Sequence, residues 1–162
     1  MIGLFVTLSV SACTTPSPEP TPTPTGFASE AEAFAAAEAT YRAYIDALNQ
    51  VDLSDPATFE PFFGLTNGEL NASDRETFSG YHADSVTKTG EVKVTHVSGA
   101  SWSDPVATLQ VCYDVSDVEI VDSNGESLVT DRRPDVQSLD VLVDVKQNKV
   151  TKIGASTEPL EC

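Results

Sequence analysis

Basic residues are scarce in this chain. Nine Lys and Arg stand against 25 Asp and Glu in 162 residues, a formal net charge of −16. Nucleic-acid binding is excluded on that ground, because it needs cations to neutralise phosphates. Electrostatic docking onto anionic lipid is disfavoured for the same reason. A surface this acidic suits solubility in a crowded compartment. Histidine occurs twice and cysteine three times. With no Cys-x-x-Cys and no closely spaced His pair, no metal site is expected. A phosphate-binding glycine loop and a nucleophile elbow are also missing, and no cofactor is expected. No apolar run reaches the about 20 residues of a membrane-spanning helix.

The apolar stretch that is present, Ile2 to Val10, is uncharged and has the length of a secretory h-region. It ends in Ser11 and Ala12 and runs directly into Cys13. This resembles the lipobox of bacterial lipoproteins, in which an aliphatic residue and two small ones precede a cysteine. The resemblance implies a leader over residues 1–12, cleavage before Cys13 and a diacylglyceryl group on its sulfur. No Lys or Arg precedes the apolar run, so either the initiating amine supplies the positive charge or translation starts upstream. Two acyl chains hold a protein stably on a bilayer where one does not. The expected location is therefore the outer face of the cell membrane, with the anchor at Cys13 as the membrane partner. Residues 13–26 form a Thr/Pro-rich linker that cannot bury enough apolar surface to fold. Its prolines favour an extended spacer.

The remaining cysteines, Cys112 and Cys162, make an even pair in an oxidising compartment, and a disulfide between them is expected. Two free thiols are the alternative. Since Cys112 alternates with apolar residues of its strand, the C-terminal tail should cross the far face of the sheet to reach it.

Residues 27–162 read as one domain. Ser29 and Glu32 form a capping box, and Phe34, Ala37, Tyr41, Tyr44, Ile45 and Leu48 recur at three- and four-residue steps, predicting a helix to about Gln50. Asp55-Pro56 opens a short helix carrying Phe59, Phe62 and Phe63. Ser73 and Glu76 read as a second capping box, opening a helix with Phe78, Tyr81 and His82. The sequon Asn71-Ala72-Ser73 is assigned to that cap rather than to glycosylation. After Val86 the period becomes two. Val92 and Val94, the odd positions from Ala107 to Val115, and those from Leu139 to Val145 are apolar, as expected of strands with one buried face. Asp122-Ser123-Asn124-Gly125 and Gln147-Asn148 are hairpin turns. The Asp122 loop is no EF-hand, because its twelfth position is Arg133. Helices first and a meander after predict an α+β fold with the N-terminal helices on one face of an antiparallel sheet.

This order, with Tyr41-Arg42-Ala43-Tyr44-Ile45 on the long helix, Phe59 to Leu65, Phe78 to His82 and the strand around Trp102 to Tyr113, resembles the nuclear-transport-factor-2-like fold. The resemblance implies a strongly bent sheet closing a cone with the helices, and a possible homodimer through the open sheet face. The wider layout is similar to small secreted lipoproteins of high-GC Gram-positive bacteria and their phages. In catalytic members of the fold an Asp or His works inside the cone. The cavity candidates here are His96, Tyr41, His82 and Asp84, with Tyr81 beside them. His96 shares the parity of Val92 and Val94 and would act as a base if it pointed inward. No second group at informative spacing completes a dyad. Three readings follow. The first is a non-catalytic, lipid-anchored envelope module that binds an envelope protein or a small apolar ligand. The second is a cone-cavity isomerase or hydrolase using His96 or Asp84. The third is a phage-encoded lipoprotein that alters the host surface, as in superinfection exclusion.

Overall fold

Ser29 starts the first helix, α1 (Glu30–Asn49), by accepting a hydrogen bond on Oγ from the Glu32 amide at 3.2 Å. The Glu32 carboxylate reaches back to the amide of Ala28, one residue beyond the expected partner. Structure is described for residues 26–162 in a computed structural model. The leader, Cys13 and the linker up to Thr25 lie outside the described residues.

The buried stripe of α1 is Ala33, Ala37, Thr40, Tyr41, Tyr44 and Ile45. A loop then leads to Asp55, whose Oδ1 accepts from the Ala57 amide at 3.0 Å and caps a single 3₁₀ turn, Pro56–Thr58. Helix α2 (Phe59–Phe63) follows and buries all three of its phenylalanines.

Helix α3 spans Gly68–Ala83 and starts at Asn67, six residues earlier than the Ser73–Glu76 pattern predicts. Ser73 lies inside the helix and caps nothing. The reason is a tertiary contact: between α2 and α3 the chain is fastened to Val150, which donates to Leu65 O and accepts from the Asn67 amide. Once past that contact the chain is free to coil. The sequon assignment changes with it. Asn71 is a helical residue whose amide donates to Phe63 O at 2.9 Å and Thr66 Oγ1 at 2.8 Å, tying α3 to the end of α2.

Six strands follow: β1 (Thr87–Thr89), β2 (Lys93–Ser103), β3 (Val106–Asp114), β4 (Glu119–Val121), β5 (Val136–Asp144) and β6 (Lys149–Ala155). Four of them form an antiparallel sheet in the order β2-β3-β5-β6. The other two, β1 and β4, pair as a separate ribbon with Lys88 opposite Ile120. The turns at Asp122–Gly125 and Gln147–Asn148 form as expected. Asp122 Oδ1 accepts from the amides of Asn124 and Glu126, and Asn148 takes a positive φ of 54°.

The three helices pack on one face of the sheet, so the fold is α+β. Ala107, Leu109 and Val111 of β3 pair with Val143, Val141 and Leu139 of β5 in turn on that face, and all are buried. Above them the aromatic rings form a continuous cluster: Tyr44 lies 4.9 Å from Phe62, Phe62 lies 5.1 Å from Phe78, and Phe78 lies 5.4 Å from Phe59, centroid to centroid.

Strand β2 is irregular twice. Val94 pairs with Tyr113 and His96 with Cys112, so Thr95 is an extra residue; Gly99 pairs with Leu109 and Ser101 with Thr108, so Ala100 is another. Each extra residue bends and twists the strand. Gly99 has a further role. A Cβ built there would stand 2.4 Å from the Phe34 ring, so only glycine lets α1 lie this close to β2.

Candidate functional site

Two half-layers leave a gap at one end of the sheet. The β1–β4 ribbon separates from the main sheet, and the loop after α1 crosses opposite it. Between them lies a cavity of about 240 Å³. The end of α1 and its loop contribute Leu48, Val51 and Leu53, α3 contributes Phe78 and Tyr81, and the ribbon contributes Lys88, Val118 and Ile120. Tyr113 and Val115 at the end of β3, with Arg133 and Gln137 at the start of β5, close the far side.

The walls are mainly apolar side chains, as in small-molecule sites. Polar groups are few and have a definite character. Lys88 keeps the inward parity of buried Val86, two residues before it, and so points between the layers. Burial is the main cause that lowers its pKa, while nearby Glu91 raises it. Arg133 Nη2 donates to Val115 O at 3.0 Å and Val118 O at 2.7 Å, the two carbonyls that end β3 and lead into β4. Its Nε is buried and has no acceptor among the described residues. Burial raises the Tyr113 hydroxyl above its ordinary range, against the opposing pull of Arg133. No carboxylate lines the cavity, although the chain carries 25 of them.

The four residues singled out from sequence are dispersed. His96 is exposed, and its partner across the ladder is Cys112 on the outer face of the sheet. Its alternation with Val92 and Val94 is broken by the extra residue at Thr95, which reverses the facing of β2 side chains from His96 to the second extra residue at Ala100. Tyr41 is fully buried in the core, stacked 5.9 Å from Tyr44, and does not line the cavity. Its hydroxyl has no partner among the described residues, and burial raises its pKa. His82 sits at the rim, with Nδ1 2.9 Å from Leu53 O and its ring edge-on to Phe59. There it braces the loop that presents Leu53 to the cavity. Asp84 is exposed at the C-terminal cap of α3. Of the wider candidates only Tyr81 lines the cavity. Lys88, Arg133 and Gln137 were not anticipated. Lys88 was legible from its parity with Val86, whereas Arg133 is placed by two carbonyls distant from it in sequence.

On the outer face, Cys112 and Cys162 have disulfide geometry, with sulfurs 2.07 Å and Cα atoms 5.6 Å apart. The tail does cross the far face. The Ser156 amide donates to Ser138 O, the Leu160 amide to Ser138 Oγ, and Gln110 Nε2 to Glu158 O. Cys112 is buried beneath it. The tail thus occupies part of the open face through which a second copy was expected to dock.

No protein-family model matches the sequence, and no curated protein matches it. Among solved structures, the chain is similar to a de novo designed β-sheet protein determined by solution NMR. That likeness has 11% identity and a TM-score of 0.36, over 81% of this chain and 92% of the other. It is also similar to a candidate aromatic ring hydroxylase from Novosphingobium aromaticivorans, with 12% identity and a TM-score of 0.49, over 79% of this chain and 96% of the other.

Proposed function

We propose that this protein is a lipid-anchored module of the cell envelope, held at the outer face of the membrane through Cys13, whose cone binds a small apolar ligand without transforming it. The observation that carries the binding role is the cavity at the β1–β4 ribbon, mainly apolar and built from both layers of the fold. The anchor rests on the Val10-Ser11-Ala12-Cys13 stretch and on the Thr/Pro spacer behind it. In this reading the spacer lifts the domain off the bilayer, and the acidic surface keeps it from lying down on anionic headgroups.

Two measurements test the two halves. The full chain, expressed in a Gram-positive host, partitions into the detergent phase, and Cys13→Ser moves it to the aqueous phase. A wild-type chain in the aqueous phase ends the anchor reading. For the cavity, the neutral fluorophore N-phenyl-1-naphthylamine binds saturably with one site per chain. Ile120→Trp, which fills the space beside Lys88, abolishes that binding, while His96→Ala on the outer face leaves it unchanged. Binding that survives Ile120→Trp refutes the cavity as the site.

A further inference from the structure

The binding reading leaves the chemistry of the ligand open, and the cavity's own charges address it. Basic residues number nine in the chain, and two of them, Lys88 and Arg133, line one small apolar cavity. The four ion pairs among the described residues use Arg42, Arg75, Lys93 and Lys146. Neither cavity cation takes part in one. Among the described residues Arg133 is held through Nη2, and its buried Nε–H has no acceptor. A buried donor without an acceptor is unfavourable, and a partly desolvated ammonium gains from an anion beside it, Glu91 lying outside the cavity lining. Both positive charges would gain from the same guest, a negatively charged group in the cavity. Most of the other walls, Leu53, Phe78, Val115 and Val118 among them, offer apolar surface. A compact inorganic anion would leave that surface unused, and a neutral apolar guest would leave both cations unpaired.

We propose, resting on the cavity as a binding site, that its ligand is an amphipathic monoanion: a short aliphatic chain ending in a carboxylate. The chain lies against Leu53, Phe78, Val115 and Val118, and the carboxylate accepts from Lys88 Nζ, with the Arg133 guanidinium adding a second positive charge to the same lining. Charge-assisted hydrogen bonds of this kind are stronger than neutral ones. In a protein that repels anions over most of its surface, a paired cationic lining also serves selection: it admits an anion only where apolar burial accompanies it.

Isothermal titration with octanoate, octanol and octylamine, each below its micelle concentration, tests the assignment. The wild-type protein binds octanoate about tenfold more tightly than octanol, the size of one charge-assisted hydrogen bond, and octylamine more weakly than either. Lys88→Met brings octanoate down to the level of octanol and leaves octanol unchanged, whereas Lys88→Arg restores the preference. Circular dichroism confirms that both variants fold. Equal binding of octanoate and octanol by the wild type, or parallel loss of both in Lys88→Met, overturns the anion assignment. If octanoate and octanol bind equally and Ile120→Trp abolishes both, the cavity reading stands while this one falls. If no eight-carbon chain binds, both fall.

Discussion

The bond between Cys112 and Cys162 closes a loop of 50 residues, and its removal gives the most direct test of how this domain is held together. Loop closure over that length lowers the entropy of the unfolded chain by about 14 cal/mol/K, or about 4 kcal/mol at 25 °C. Unfolding a domain spanning residues 26–162 carries an entropy of about 0.29 kcal/mol/K at the melting temperature. Cys162→Ser should therefore lower Tm by about 14 °C. That is an upper figure, because the tail keeps its bonds to Ser138 and Gln110 and the loop does not become wholly free. Cys112→Ala and the double variant should fall by the same amount, since either substitution opens the same loop. Reductant should lower the wild type to match and leave the variants where they are. The assay is calorimetry of the residue 26–162 domain with and without dithiothreitol, alongside thiol titration under denaturing conditions. Two titratable thiols in the unreduced wild type, or a Cys162→Ser Tm within a few degrees of wild type, would refute the reasoning. N-phenyl-1-naphthylamine binding should survive Cys162→Ser, because the tail lies on the opposite face of the sheet from the cavity.

Other substitutions probe the packing on the helical side. Asp74 on α3 has a carboxyl raised to about 6 by burial, with Oδ2 unpartnered among the described residues. Its protonated form is favoured by folding, so that contribution is complete below about pH 4 and lost as pH climbs through 6. Asp74→Asn should then gain about 1 kcal/mol at pH 7.5, discounted for its partial exposure, and nothing at pH 4; urea unfolding at both values checks it, and an equal gain at both would be the wrong sign of dependence. Gly99→Ala should cost about 1–3 kcal/mol by driving a methyl into the Phe34 ring. Phe34→Ala should absorb most of that penalty in the double variant, and additive losses would show that the ring is not the obstacle. Ser29→Ala should cost about 1 kcal/mol through loss of the α1 cap, read from the same denaturant curves.

Local chemistry in the chain is enough to place most of its elements. The Ser29 cap, the three- and four-residue spacing through Tyr41 and Ile45, the Asp55-Pro56 start, the period-two runs from Ala107 and Leu139 and the two hairpin turns each depend on neighbours within a few residues, and each appears where that chemistry puts it. The same holds for the side of the sheet that Cys112 takes, and with it the path of the tail. Where the determining contact lies far away in sequence, the local reading misplaces things. Helix α3 starts at Asn67 because Val150, some eighty residues on, holds the preceding chain. His96 faces outward because β2 gains a residue at Thr95 to bend around the helices, and one extra residue reverses parity until the next one, at Ala100, restores it. The cavity is a product of such contacts throughout. Its ribbon comes from pairing Lys88 with Ile120, and Arg133 is set by the carbonyls of Val115 and Val118. The sequence alone therefore determines which segments coil, which extend and which faces are greasy, since those follow from spacing along the chain. Which charges end up together in an apolar enclosure was decided only by the tertiary structure, because strand pairing and bulges choose partners across the fold.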